Sequence, residues 1–249
     1  MSQIRGSYYL DIAEGNVPGS KMKNKFGRNP AVGTSGFQTI WNGGGSYTGF
    51  DATSAEIVTL VSSDAGDNAT GLGLRTIRIY GLDLNGLEQN EDVTLNGLTP
   101  VSSTLEYLRL DTARGLSAGT TGHNIGEVTI RQSITTANIF AVIPATYNST
   151  MICAYTIPAG KNGYILSQRA ALANKNAAVA IVRLKARGPG SIFTTRGEAA
   201  LNSQGTGFLS TYFEIPSKIP PMTDLFIEAE ASATVAVTAF LDILLVDIP

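Results

Sequence analysis

The sequence predicts an all-β protein: two antiparallel β-sandwich (jelly-roll-like) domains preceded by an extended N-terminal arm. Three observations predict it. From residue 51 onward, short runs alternate apolar and polar side chains with the two-residue period of half-buried antiparallel strands. Turn signals separate those runs by roughly 8 to 15 residues, the spacing of a sandwich or small barrel. Finally, the 249 residues include 27 glycines, and only 15% are charged. That balance suits a loop-rich β protein with a polar but uncharged surface, as surfaces buried in large assemblies often are.

Residues 1–50 form the arm in this reading. Ser7–Ala13 is a candidate short strand, and the rest is broken by Gly15, Pro18, Gly19, Gly27, Pro30, Gly33, Gly36 and Gly43–Gly45. An irregular stretch of this length inside a compact domain points to a functional loop, an arm or disorder. Phe26, Phe37, Trp41, Tyr47 and Phe50 argue against plain disorder, because disordered linkers are aromatic-poor.

Residues 51–147 form the first sandwich. "AEIVTLVSS", "LRTIRIYGLD", "NEDVTLNG", "LEYLRLDT" and "GEVTIRQS" each read as a strand. Asn85-Gly86 between two of them is a strong two-residue hairpin signal. The two domains join across residues 134–150, and residues 148–249 form the second sandwich. "MICAYTIPAGKNGYILSQRAAL" is a strand, a turn at Pro158–Gly163 and another strand. "AAVAIVRLKARG" is rich in helix formers, but Ile181 and Val182 favour a strand, with turn chemistry at Asn174–Asn176. "TVAVTAFLDILLVDIP" is apolar on both faces, as expected for a central strand covered on both sides.

Composition narrows the function. Net charge is −2, so no overall field draws nucleic acid or acidic lipid, and neither is expected as a partner. No run approaches the ~20 apolar residues of a membrane span. The N-terminus lacks the apolar core of a signal peptide, which makes cytoplasmic synthesis the expectation. Basic residues gather early, at Arg5, Lys21, Lys23, Lys25 and Arg28, and acidic ones late, at Glu214, Asp224, Glu228, Glu230, Asp242 and Asp247. Such ends could attract each other between copies.

The catalytic inventory is thin, and no catalytic, metal or cofactor residue is assigned. His123 is the only histidine, in the glycine-rich turn "AGTTGHNIGE", where a solvated or capping role fits better than a general base. Cys153, the single cysteine, sits in an apolar run and reads as a core residue, leaving zinc too few nitrogen or sulfur ligands. Glu88, Glu91 and Asp92 cluster, and Glu228 and Glu230 share a strand face. Nothing in their spacing sets two carboxylates across a cleft as a glycosidase needs. "GLGLRTIRIYG" lacks the GxGxxG order, and "GPGSIFTT" lacks a Walker lysine.

Two longer patterns carry a resemblance. "KFGRNPAVGT…IWNGGGSYTGF" followed by "EIVTLVSS", "GLRTIRIYGLD" and "EDVTLNG" resembles structural proteins of tailed bacteriophages. "YTIPAGKNGYIL" with "FEIPSKIPPMTDLFIEAEAS" and "TVAVTAFLDILL" resembles jelly-roll-like modules of accessory virion proteins. The resemblance implies a non-enzymatic capsid cement (decoration) protein, synthesised in a bacterial host and placed on the capsid surface. Its implied partners are the major capsid protein and itself, as a homotrimer. A neck, tail or head-fibre protein is the alternative, and a carbohydrate- or receptor-binding sandwich the second. Phe26, Arg28, Phe37, Trp41, Tyr47 and Phe50 are residue types enriched at interface cores, which makes them the expected contact residues of the arm.

Overall fold

In a computed structural model, residues 4–173 and 177–248 are described. The chain opens with helix α1 (Ile4–Ala13), then strand β1 (Ser20–Val32), the short β2 (Gln38–Thr39) and a 3-10 turn at Thr48–Phe50. Next come β3 (Glu56–Ser62), β4 (Leu74–Leu82), β5 (Glu88–Thr94), β6 (Val101–Tyr107), β7 (Arg109–Ala118), β8 (Val128–Gln132) and β9 (Ile139–Ile143). The remainder supplies β10 (Ala154–Thr156), β11 (Lys161–Leu172), β12 (Val179–Arg187), β13 (Thr194–Asn202), β14 (Phe208–Tyr212), β15 (Lys218–Ile219), β16 (Asp224–Ala231) and β17 (Val235–Asp247). The fold is nearly all β, and every strand pairing is antiparallel.

Four sheets stack as two sandwiches. In the first, the sheet β6-β3-β8-β9 faces β5-β4-β7. Val58, Leu60, Ile77, Ile79, Val93, Val128, Ile130 and Phe140 fill the space between them. Alternation puts these residues inward, and their neighbours Arg78, Thr94 and Thr129 outward. The β4–β5 hairpin turns at Asn85-Gly86, with the Asp83 carboxylate accepting from the Asn85 and Leu87 amides at 2.9 and 2.8 Å.

The second sandwich packs sheet A, in the order β1-β17-β11-β14 with β15 also on β11, against sheet B, in the order β10-β16-β12-β13 with β2 on β16. Its core holds Val182, Leu184, Leu225, Ile227, Val237, Ala239, Leu241 and Ile243. "AAVAIVRLKARG" is strand β12, with Ala180, Val182, Leu184 and Ala186 buried on one face. The turn expected at Asn174–Asn176 lies outside the described residues.

Three expectations change. Ser7–Ala13 lies in helix α1 rather than a strand, anchored by Ile12, which is 3% exposed. Residues 20–32 are not irregular: β1 pairs along β17 from Ser20↔Val246 to Val32↔Val235, inside the second sandwich. Gly27 makes that placement possible, since a Cβ there would collide with the Ile40 carbonyl and the Cys153 amide. Finally, β17 is covered on one face only. Val237, Ala239, Leu241, Ile243 and Leu245 are buried, whereas Thr238, Phe240, Asp242, Leu244 and Val246 stay half-buried on the outer side.

Candidate assembly surface

Two buried charge clusters and one aromatic joint decide which surfaces remain for partners. At the first cluster, Lys25 of β1 meets Asp111 of β7 at 2.9 Å, across the seam between the sandwiches. Lys23 also contacts the Asp111 carboxylate, and the Lys25 ammonium donates to the Asp111 carbonyl. Burial works against a charge on Asp111, but Lys25 and Lys23 more than offset it, so its pKa lies below the usual carboxylate value. On Lys25 burial wins: its pKa is pulled below the ordinary lysine value despite Asp111 beside it.

At the second cluster, Asp224 of β16 accepts from Arg109 of β7 at 3.1 Å, from Arg187 of β12 at 2.7 Å and from the Thr156 hydroxyl at 2.6 Å. The two guanidinium groups also hold the crossing chain, Arg109 donating to the Ala52 carbonyl and Arg187 to the Phe50 carbonyl. A buried carboxylate with both oxygens satisfied by opposite charges locks its neighbours in one arrangement. Both clusters tie β7 of the first sandwich to the second.

The predicted contact aromatics lie in the same seam. Trp41 is 3%, Tyr47 7% and Phe50 6% exposed. Trp41 meets Tyr47 edge-on at 5.2 Å, Tyr47 meets Phe50 at 5.0 Å, and Phe50 continues to Phe226 at 6.0 Å. The Tyr47 hydroxyl donates to the Phe140 carbonyl at 3.0 Å. Glycines 43–45 wrap this indole: Gly43 approaches the ring too closely for a side chain, and Gly44 and Gly45 take φ of +68° and +59°. Residue types suited to an interface core are therefore found at one, but it lies between two halves of the same chain. Sequence composition carries the residue type; it does not carry which surface the ring fills.

Phe26, Arg28 and Phe37 remain nearer the surface. Phe37 lies 3.8 Å from the Arg183 guanidinium, ring against cation, beside sheet B. Phe26 and Arg28 lie on the outer face of sheet A. There Phe26 packs on Phe240 at 4.7 Å, and Arg169 stacks on the other side of Phe240 at 5.0 Å. Leu244, Val246, Met22 and Tyr164 extend this half-exposed apolar surface, registered across β1, β17 and β11.

Sheet A ends at β14, where several large apolar side chains are exposed. Phe208 is 55%, Tyr212 71% and Ile215 91% exposed, and Phe213 beside them is also exposed. Between the sheets at this end lies a cleft of about 290 Å³, walled by Ile165, Leu184, Phe213, Ile219 and Leu225, with Arg196 and Lys218 at its mouth.

Several other residues singled out in the sequence are buried or paired. Cys153 is fully buried, its thiol pushed up to about 12 by that burial. The His123 ring lies 3.1 Å from the Asn124 carbonyl, in its own turn. Glu91 accepts from the Thr104 and Leu105 amides, Asp92 pairs with Arg78 and Glu88 with Lys21. Glu228 sits 3.9 Å from Lys185, with burial raising its pKa. A cleft of about 320 Å³ between the sandwiches brings Tyr80 and Tyr155 near Glu88 and Asp111, but lysines already hold both carboxylates. Among the described residues no group of His, Cys, Asp and Glu could hold a metal ion, and no helix is long and apolar enough to cross a membrane.

No family model and no curated protein matches the chain. Among solved structures it overlaps that of the infectious bursal disease virus Gx strain at 8% identity and TM-score 0.24, over 90% of this chain and 72% of that one. The VP2 subviral particle of infectious bursal disease virus gives 11% identity and TM-score 0.23, over 96% and 77%. The insecticidal delta-endotoxin Cry8Ea1 of Bacillus thuringiensis gives 8% and 0.23, over 87% of this chain and 54% of that one. At TM-scores this low the overlaps carry no argument about function.

Proposed function

We propose that the chain is a non-enzymatic virion structural protein, specifically a capsid cement or decoration protein that stabilises a shell by bridging major capsid subunits at its surface. The observation that carries this reading is the outer face of sheet A. A long central strand, β17, leaves Phe240, Leu244 and Val246 half-exposed, beside Phe26 and Arg28, on a body whose buried charges join its own two halves. A cement protein works by laying such a face on neighbours, many modest contacts adding through repetition over the shell. The sequence resemblance to tailed-phage structural proteins supports the same reading.

Copy number in purified particles tests it. Hundreds of copies per particle are expected; a low multiple of six or twelve moves the chain to the neck or tail, and absence from particles overturns the virion reading. With shells lacking the protein, the Phe26→Ala, Arg28→Ala double variant is expected to bind at least about tenfold more weakly than wild type, the loss of one interface hot spot.

A further inference from the structure

We propose that two copies of this chain associate through β14, each strand adding antiparallel to the other about a two-fold axis through Ser210, so that sheet A runs unbroken across the pair. This goes beyond the virion reading and does not rest on it. Strand β14 is bonded to β11 on one side only. The Leu172 amide donates to the Gly207 carbonyl and the Phe213 amide to the Leu166 carbonyl, both at 2.9 Å. Antiparallel alternation then turns the N–H and C=O groups of Phe208, Ser210 and Tyr212 away from β11, toward the open edge.

Exposed edges are ordinarily blunted by charge, proline or bulges. β1 carries Lys21, Lys23, Lys25, Arg28 and Pro30, with a register break between Asn29 and Val32. β5 carries Glu88, Glu91 and Asp92; β6 carries Glu106; β7 carries Arg109, Asp111 and Arg114; β13 carries Arg196 and Glu198 beside a register shift. β9 and β10 are uncharged but mostly buried. Among the described strands longer than two residues, β14 is the edge that is both exposed and free of every such device; its sequence is Phe-Leu-Ser-Thr-Tyr.

The edge also complements itself. Centred on Ser210, the register sets Phe208 opposite Tyr212 of the second copy and Leu209 opposite Thr211, giving an aromatic pair at each end of the ladder. No like charges face each other, because Thr206 to Phe213 is neutral and Glu214 falls opposite Thr206. Continued one step further, Phe213 meets Gly207 of the second copy. A Cβ at Gly207 would meet nothing closer than 3.5 Å, so the bulky exposed Phe213 ring finds a position without a side chain. Phe208, Ser210 and Tyr212 point to the outer side of sheet A, which would double in width.

Mass in solution tests this, by light scattering on the full chain. Two chains are expected, and the amides of Phe208, Ser210 and Tyr212 should be protected from hydrogen exchange in the wild type. Ser210→Pro removes an outward N–H without removing a bond to β11, and Ser210→Lys sets two like charges on the axis. Each is expected to give a folded single chain with fast exchange at the Phe208 and Tyr212 amides. A wild-type monomer, a closed trimer, rapid exchange at all three amides, or a dimer unmoved by both variants overturns the pairing. A monomer abundant in particles overturns the pairing alone; a dimer absent from particles overturns the virion reading alone.

Discussion

The two edges of sheet A are built to opposite ends. At β1 the edge is charged, carries a proline and turns its buried face, Lys25, Gly27 and Asn29, toward the rest of the chain. At β14 the edge is neutral and exposed, and buries little beyond Leu209 against the core. One edge joins the halves of a single molecule, and the other is free to join molecules.

The sharpest way to break this contrast is at β1. Asp111→Ala leaves the Lys25 ammonium buried without its partner and should destabilise the chain by about 3–5 kcal/mol in denaturant unfolding. A loss under about 1 kcal/mol would mean that the β1 edge does not hold the halves together. Acid gives the same contrast by titration. A carboxylate held below its unfolded value contributes stability at every pH above that value, and loses it as pH falls through its lower, folded pKa. Wild type should therefore lose thermal stability as pH drops below about 4, and Asp111→Asn should lose less over the same window. Glu56, held low by its bonds to Thr135 and Ile134 against its own burial, keeps part of that slope in both proteins.

Smaller effects sharpen the comparison. Phe26→Ala removes one ring of the Phe26–Phe240 pair on an exposed face and should lower stability by about 0.5–1.5 kcal/mol. At the other edge, Ser210→Lys should unfold within about 0.5 kcal/mol of wild type when both are measured at dilutions where wild type is a single chain, since only solvated backbone is then touched. A large destabilisation of the monomeric variant would mean that β14, like β1, is needed by the chain that carries it.

Much of the fold was legible because inward positions were apolar. The runs around Val58, Ile77 and Ile130 show their period, Asn85-Gly86 shows its turn, and Ile181 and Val182 tip an alanine-rich run to strand β12. β1 escaped for the converse reason: its buried positions are lysine, glycine and asparagine, so no hydrophobic period marks it. Helix α1 escaped because tyrosines and an isoleucine read locally as strand, while its anchoring is tertiary, through Ile12. The site was legible only in residue type. Trp41, Tyr47 and Phe50 were recognisable as interface residues, but the surface they fill is completed by Phe140 and Phe226, far along the chain, and no local signal announces that or the pairing of β1 with β17.

That pairing also sets an order of events. Ser20 waits for Val246 and Phe26 for Phe240, partners made at the far end of the chain. On the ribosome the first sandwich, β3 to β9, has all its strands early, whereas sheet A cannot close until β17 has emerged. Until then β1 exposes Gly27 and its lysines, and β11 stands with a bare flank. Contacts this distant in sequence make folding slow and leave open strands in the interval. The lysines of β1 then guard the nascent chain against the wrong neighbour before they hold the right one.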